Sequence, residues 1–314
     1  MRPDSEPSGP GLNEAFAAWA AIGVVAALVW ITYARLPARD FYNVTGTGLR
    51  AGASRVLVLL GWPISIAAVA LVAVAADRLL ASRPPPRLRR ATIAAAVAAT
   101  VLCATIAGPG VIDEADLDAK PVNALAAIGV GIALALTLAA ARRAGAGRFV
   151  RHRPGDRAAI VYIALLLVAG IPWLLANVGV YAGDIPGLRS IFMSKQILPE
   201  PGHPTLHAVH LGNHEGIDGI LLAAIALGLR RVLPQLRPTR LRGVLGAYLA
   251  LMLAYGSLVA LNDGWNEQIV KRGWTDVGTP KVLNPGPTSG TALLIAITAV
   301  LYLAAFRVRP SAVE

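Results

Sequence analysis

The chain has 314 residues, 55% hydrophobic and 15% charged, with a net charge of +11 and a mean hydropathy of +0.59. Soluble domains carry about 25% charged residues, so this composition excludes an ordinary water-soluble enzyme and indicates an all-α, polytopic membrane bundle in one domain. The basic excess sits in short gaps between apolar runs; that is the pattern of cytoplasmic loops, not of a phosphate-binding face, and it excludes nucleic acid as a partner.

Residues 1–13 are polar and partly acidic and are expected to form a disordered cytoplasmic tail. Residues 14–309 form the transmembrane domain, and 310–314 a second short tail. Crossing about 30 Å of hydrocarbon takes about 20 helical residues. About eight runs meet or approach that length, near 14–34, 55–76, 92–108, 122–141, 158–181, 206–229, 243–262 and 290–306. The first is read as a retained span, because its flank is acidic and no small-residue cleavage site follows. Gly61-Trp62-Pro63 and Gly170-Ile171-Pro172 should interrupt the second and fifth spans.

Loop charge sets the orientation. With the N-terminus inside, the cytoplasmic side carries Arg2, five basic residues in 78–90, six in 142–157, five in 230–242, and Arg307 and Arg309. That makes 19 of the 29 Lys and Arg. The expectation is N-in, C-in, as a multi-pass protein of a bacterial inner membrane. The outward gaps are then 35–54, 109–121, 182–205 and 263–289. In the first of these, GTGLRAG (46–52) lacks the strand–turn–helix setting of a dinucleotide loop. In the second, GVIDEADLDAK reads as a solvated acidic loop. Cys103, the sole cysteine, lies in an apolar run and leaves no disulfide framework.

Four of the five histidines fall in HPTLHAVHLGNHEGIDG, at His203, His207, His210 and His214. Spacings of four, three and four are helical, and at about 100° per residue the four rings share a sector about 60° wide. Asp218 extends it to about 80°. Pro204 suits the first turn of a helix, so a helix starting near 204 is expected to carry the stripe into the sixth span from outside. His210 and His214 form HxxxH, whose geometry lets two imidazoles reach one metal ion. Asp218 is a candidate third ligand or partner of a ligating ring, whereas Glu215 projects about 100° away and is set aside. The alternative to a metal site is a hydrogen-bonded polar seam between helices.

Imidazole with carboxylate suits Zn²⁺ or Fe²⁺ better than copper, for which three Met and one Cys provide little. The seventh span ends in ALNDGWNEQIVKRGW. There Asp263 and Glu267, at i and i+4, are candidate catalytic or completing carboxylates, and Trp265 and Trp274 are candidate interfacial anchors. The function expected from these residues is metal-dependent chemistry on a lipid-linked or membrane-proximal substrate. Transport of a cation or proton is the alternative, and an accessory membrane subunit the third possibility. The sequence specifies neither substrate nor oligomeric state.

Overall fold

The computed structural model describes residues 12–41, 44–108, 110–113, 116–145, 149–150, 155–181, 185–187, 209–280, 282–283 and 286–308. The apolar runs fold as ten helices, with no strand among the described residues. They are α1 (Leu12–Arg35), α2 (Gly48–Leu59), α3 (Ser65–Ala81), α4 (Pro86–Ala104), α5 (Pro121–Ala144), α6 (Asp156–Ala169), α7 (Ile171–Ala176), α8 (Glu215–Arg230), α9 (Thr239–Gln268) and α10 (Ser289–Leu301). A π-helical turn at Leu60–Ile64 joins α2 to α3, with Trp62 outside helical φ/ψ. Six helical stretches are long and apolar enough to cross a membrane: 12–35, 48–81, 86–107, 121–143, 239–272 and 289–306. Their apolar surfaces, exposed most on α4 and α10, indicate a membrane protein.

The remaining two expected spans take other forms. Residues 158–181 appear as α6 and α7, divided at Gly170. The 206–229 run yields α8, which has 16 residues and starts at Glu215. At 1.5 Å per residue it is about 24 Å long, short of the hydrocarbon thickness. It is apolar around nearly its whole circumference and buried from Gly216 to Leu229 at all but a few positions, as befits a helix enclosed by others. Neighbours α1, α3, α6 and α9 surround it, so lipid does not dictate its length.

The most extensive pairing is α8 with α9. It is antiparallel: Gly216 lies by Asp263, and Gly219 by Gly256 and Ala260. A Cβ on Gly219 would overlap the Gly256 carbonyl oxygen, and a Cβ on Gly256 would overlap that of Gly219. Glycine on both sides brings the two backbones into contact, the small-residue packing that van der Waals forces favour between membrane helices.

One end of the bundle is stapled by charge. Asp156, at the start of α6, is buried and pairs with Arg230 Nη2 at 3.2 Å and Arg231 Nε at 3.3 Å. Arg231 also donates to the Val150 carbonyl, and the Val150 N–H donates to Glu14 of α1 at 2.6 Å. Three helix ends and the loop after α5 are thereby tied together. The other end, where α8 begins and α9 finishes, is built differently.

Candidate functional site

The expected helix from 204 through the histidines is not what forms over the described part. Residues 209–214 are non-helical, and His203 and His207 lie outside the described residues. Gly212 takes φ = 118°, a left-handed value that no α-helix contains, and the Asn213 N–H donates to the Tyr33 phenol oxygen at 3.2 Å. The chain turns there and enters α8 with His214 as the extended N-cap residue. Gly212-Asn213 is itself a turn signal, and the helical phase of the histidines concealed it.

The two rings nevertheless meet. His210 and His214 have centroids 4.6 Å apart. The His214 Nε2–H is directed at the His210 carbonyl at 2.8 Å, and His210 Nδ1–H at the Leu211 carbonyl at 3.1 Å. A ring that donates one N–H to a backbone carbonyl keeps its lone pair on the other nitrogen. In this tautomer the basic nitrogens are His210 Nε2 and His214 Nδ1. Burial holds the His214 imidazole down at about 4, against the weaker opposing effect of the His210 carbonyl and with help from the Lys271 and Arg55 charges. Burial therefore disfavours the imidazolium form of this ring and favours the neutral one, whose free lone pair can face a cation.

The N-terminus of α8 lacks a capping side chain of its own. Asp263 supplies it from α9: its Oδ2 accepts the Gly216 N–H at 2.8 Å, putting a carboxylate at the positive end of the helix dipole. Glu267, one turn beyond Asp263, pairs with Lys271 at 2.9 Å. Asp218 is fully buried one turn into α8, where its Oδ2 accepts from Asn213 Nδ2 at 2.7 Å.

These groups surround a cavity of about 350 Å³, lined by Arg55, His210, Asn213, His214, Glu215, Asn262, Asp263, Asn266, Glu267 and Lys271. The structure thus brings together four of the seven expected site residues: His210, His214, Asp263 and Glu267. Asp218 stands behind the wall with Asn213. Glu215, set aside on helical phase, lines the cavity, because a phase angle carried from His214 does not hold where His214 is outside the helix. Among the described residues no three of His, Cys, Asp and Glu come close enough to hold a metal ion together.

Two contributors escaped the sequence reading. Arg55 in α2 is buried, with its guanidinium 5.8 Å from the Tyr33 ring centre. Its signal was an arginine at the start of an apolar span, which is costly unless it has a role. The second is the segment after α9, which folds back down that helix. Trp265 Nε1 donates to the Val277 carbonyl at 2.8 Å. Asn262 Nδ2 donates to Thr279 Oγ1 at 2.6 Å and the Pro280 carbonyl at 3.1 Å. The Tyr255 hydroxyl donates to the Leu283 carbonyl at 2.8 Å. From Trp265 to Tyr255 the return covers about 15 Å of helix. Non-helical backbone at that depth is tolerated where it is buried in protein or lines a cavity, and Val282 and Leu283 do line this one.

Loops at the same end of the bundle brace the site. Lys120, at the cap of α5, pairs with Asp113 at 3.0 Å and Asp116 at 3.8 Å, and the Thr45 N–H donates to Asp118 at 3.2 Å. The acidic loop is therefore tied down rather than simply solvated. Trp265 and Trp274 are both exposed, as suits headgroup anchors, and Arg272 lies 5.2 Å from the Trp274 ring centre. The chain matches no protein-family model, and no curated protein or solved structure shows significant similarity to it.

Proposed function

We propose that the chain is a bacterial inner-membrane enzyme whose polar cavity, on the extracytoplasmic side, acts on the head of a lipid or another membrane-proximal substrate. In this reading His210 and His214 are two ligands of a divalent metal, zinc or iron, with Asp263 and Glu267 as the candidate completing groups. The metal would polarise a carbonyl or phosphoryl oxygen, or lower the pKa of a bound water. Asp263 or Glu267 would move the proton.

One observation carries this reading. Two adjacent imidazoles, each with one N–H directed at a backbone carbonyl, line one cavity with three carboxylates from α8 and α9. Anchored rings with oriented lone pairs are what a ligand or base requires. The excess of Lys and Arg in the alternate loops supports the side assignment.

Cation or proton transfer is the second reading, favoured by the fully buried Asp218 just below the cavity. Beyond Asp218, GILLAAIALG offers no polar side chain on α8, and the Gly219–Gly256 contact leaves no gap on the side facing α9. Both weigh against a route along that helix.

Metal analysis of the purified protein tests the first reading. Zinc or iron should accompany the wild type and be lost from the His210→Ala/His214→Ala variant. No bound metal in either protein refutes the metal centre, and equal metal in both places it elsewhere in the chain.

A further inference from the structure

Directly below the polar cavity is a second one, of about 440 Å³ and almost wholly apolar in lining. It is enclosed by α3, the end of α4, the middle of α9 and the start of α10. The two cavities share Val282 and Leu283 as a wall. Tyr255 stands at the same boundary, its ring lining the lower cavity while its hydroxyl holds the Leu283 carbonyl and receives the Trp62 indole N–H at 3.0 Å. The lower cavity opens sideways. Ala104 and Ala107, at and just beyond the end of α4, line it and are exposed, and Leu251, which lines it from α9, belongs to the exposed stripe of that helix with Val244 and Leu261. Hydrocarbon from the bilayer is thus in reach of a pocket whose upper wall is the floor of the polar site.

The polar cavity also constrains the head. It presents the cations Arg55 and Lys271, the carboxylates Glu215, Asp263 and Glu267, and three amides. An anionic head meets the carboxylates, a quaternary ammonium meets the cations, and a zwitterionic head has to break the Lys271–Glu267 ion pair and the Asp263 cap to use them. Hydroxyl groups both donate and accept and satisfy the mixture without a charge clash.

We propose that the substrate is a lipid with an uncharged, hydroxyl-rich head. The head occupies the polar cavity, and one hydrocarbon chain runs past Val282 and Leu283 into the apolar cavity, entering between α4 and α10. This rests on the reading that the polar cavity receives a substrate head, and narrows it to heads without a phosphoryl group. A chain that leaves lipid for an apolar pocket gains little free energy, so the head selects the lipid and the lower cavity positions it.

The test uses the full chain in lipid nanodiscs and an alkyl glucoside carrying a diazirine at the chain end. On irradiation, labelling should saturate with probe and map to Leu251 and Met252. Ala104→Trp, which fills the lateral opening, should reduce it about tenfold. Unlabelled alkyl glucoside or monoacylglycerol of equal chain length should compete, and the better competitor distinguishes a sugar from a glycerol head. Alkyl trimethylammonium, alkyl phosphate and alkylphosphocholine should not compete. Labelling that never saturates, or that is unchanged in Ala104→Trp, overturns the chain site, and equal competition by the charged amphiphiles overturns the head assignment. Should the Trp variant fail to fold, saturation and head selectivity in the wild type decide the matter alone. Saturable, selective labelling of a protein that binds no metal refutes the metal centre and leaves this inference standing. Bound metal with unsaturable labelling does the reverse.

Discussion

The two ends of the bundle use charge in opposite ways. At the Asp156 end, one buried carboxylate is matched by two arginines, and the neighbouring Glu14 is taken up by a backbone N–H. The groups there hold helix ends together. At the His214 end, ten polar side chains are spread around a cavity of about 350 Å³. Asp218 Oδ1 and Asn213 Oδ1 are buried there without a hydrogen-bond partner among the described residues. Unsatisfied buried acceptors cost about 1–3 kcal/mol each. Glu14 Oε2 at the Asp156 end also lacks a partner among the described residues, so what separates the two ends is the cavity: only at the His214 end are the polar groups arranged around space that a ligand can enter.

The widest separation between the ends should come from the seam that joins them. Gly219→Leu drives a side chain into the Gly256 backbone and should destabilise by about 3 kcal/mol, the upper range for overpacking. In a thermal unfolding assay the midpoint should fall sharply. An unchanged midpoint would mean that α8 and α9 are not in backbone contact.

Asp156→Ala removes the shared partner of Arg230 and Arg231. The Asp156 side chain is 7% exposed and the arginines 17% and 19%, so the loss should lie between the values for surface and buried pairs, roughly 2 kcal/mol. Binding at the other end should be retained. Loss of the amphiphile labelling at Met252 in a folded Asp156→Ala protein would contradict the division of labour between the ends.

At neutral pH the smallest effect belongs to His214, and it emerges only in acid. His214 has its pKa held at about 4 in the folded chain against about 6.5 when unfolded. Between those values the unfolded chain binds more protons, so stability should fall as pH drops from about 6.5 and level off below about 4. His214→Gln keeps a donor for the His210 carbonyl and should flatten that part of the profile. An unaltered slope in the variant would place the titration on another group.

Much of the frame was legible from residues alone. Long apolar runs become helices because a backbone in hydrocarbon must satisfy its own hydrogen bonds, and the interruptions at Trp62-Pro63 and Gly170 fell where the sequence places breakers. The site was legible in part. The histidine repeat and the Asp263–Glu267 pair did identify two segments that meet. What misled was the assumption that a helical spacing implies a helix: Gly212-Asn213 turns the chain, so the rings of His210 and His214 meet across a bend. Arg55 was not legible because the Tyr33 ring it lies against and the α8 and α9 residues with which it lines the cavity come from other segments of the chain.

What the sequence by itself determined is the class of the molecule, the position of its apolar helices and the chemistry gathered near residues 210–218 and 263–267. These follow from local pattern, since hydropathy, periodicity and residue type are properties of short stretches. Only the tertiary structure decided that α8 is an enclosed helix capped by Asp263 of α9, that Glu215 lines the cavity while Asp218 stands behind it, and that an apolar pocket lies beneath the polar one. Each of those depends on which backbones come close enough to touch, and that is set by glycines on two helices acting together.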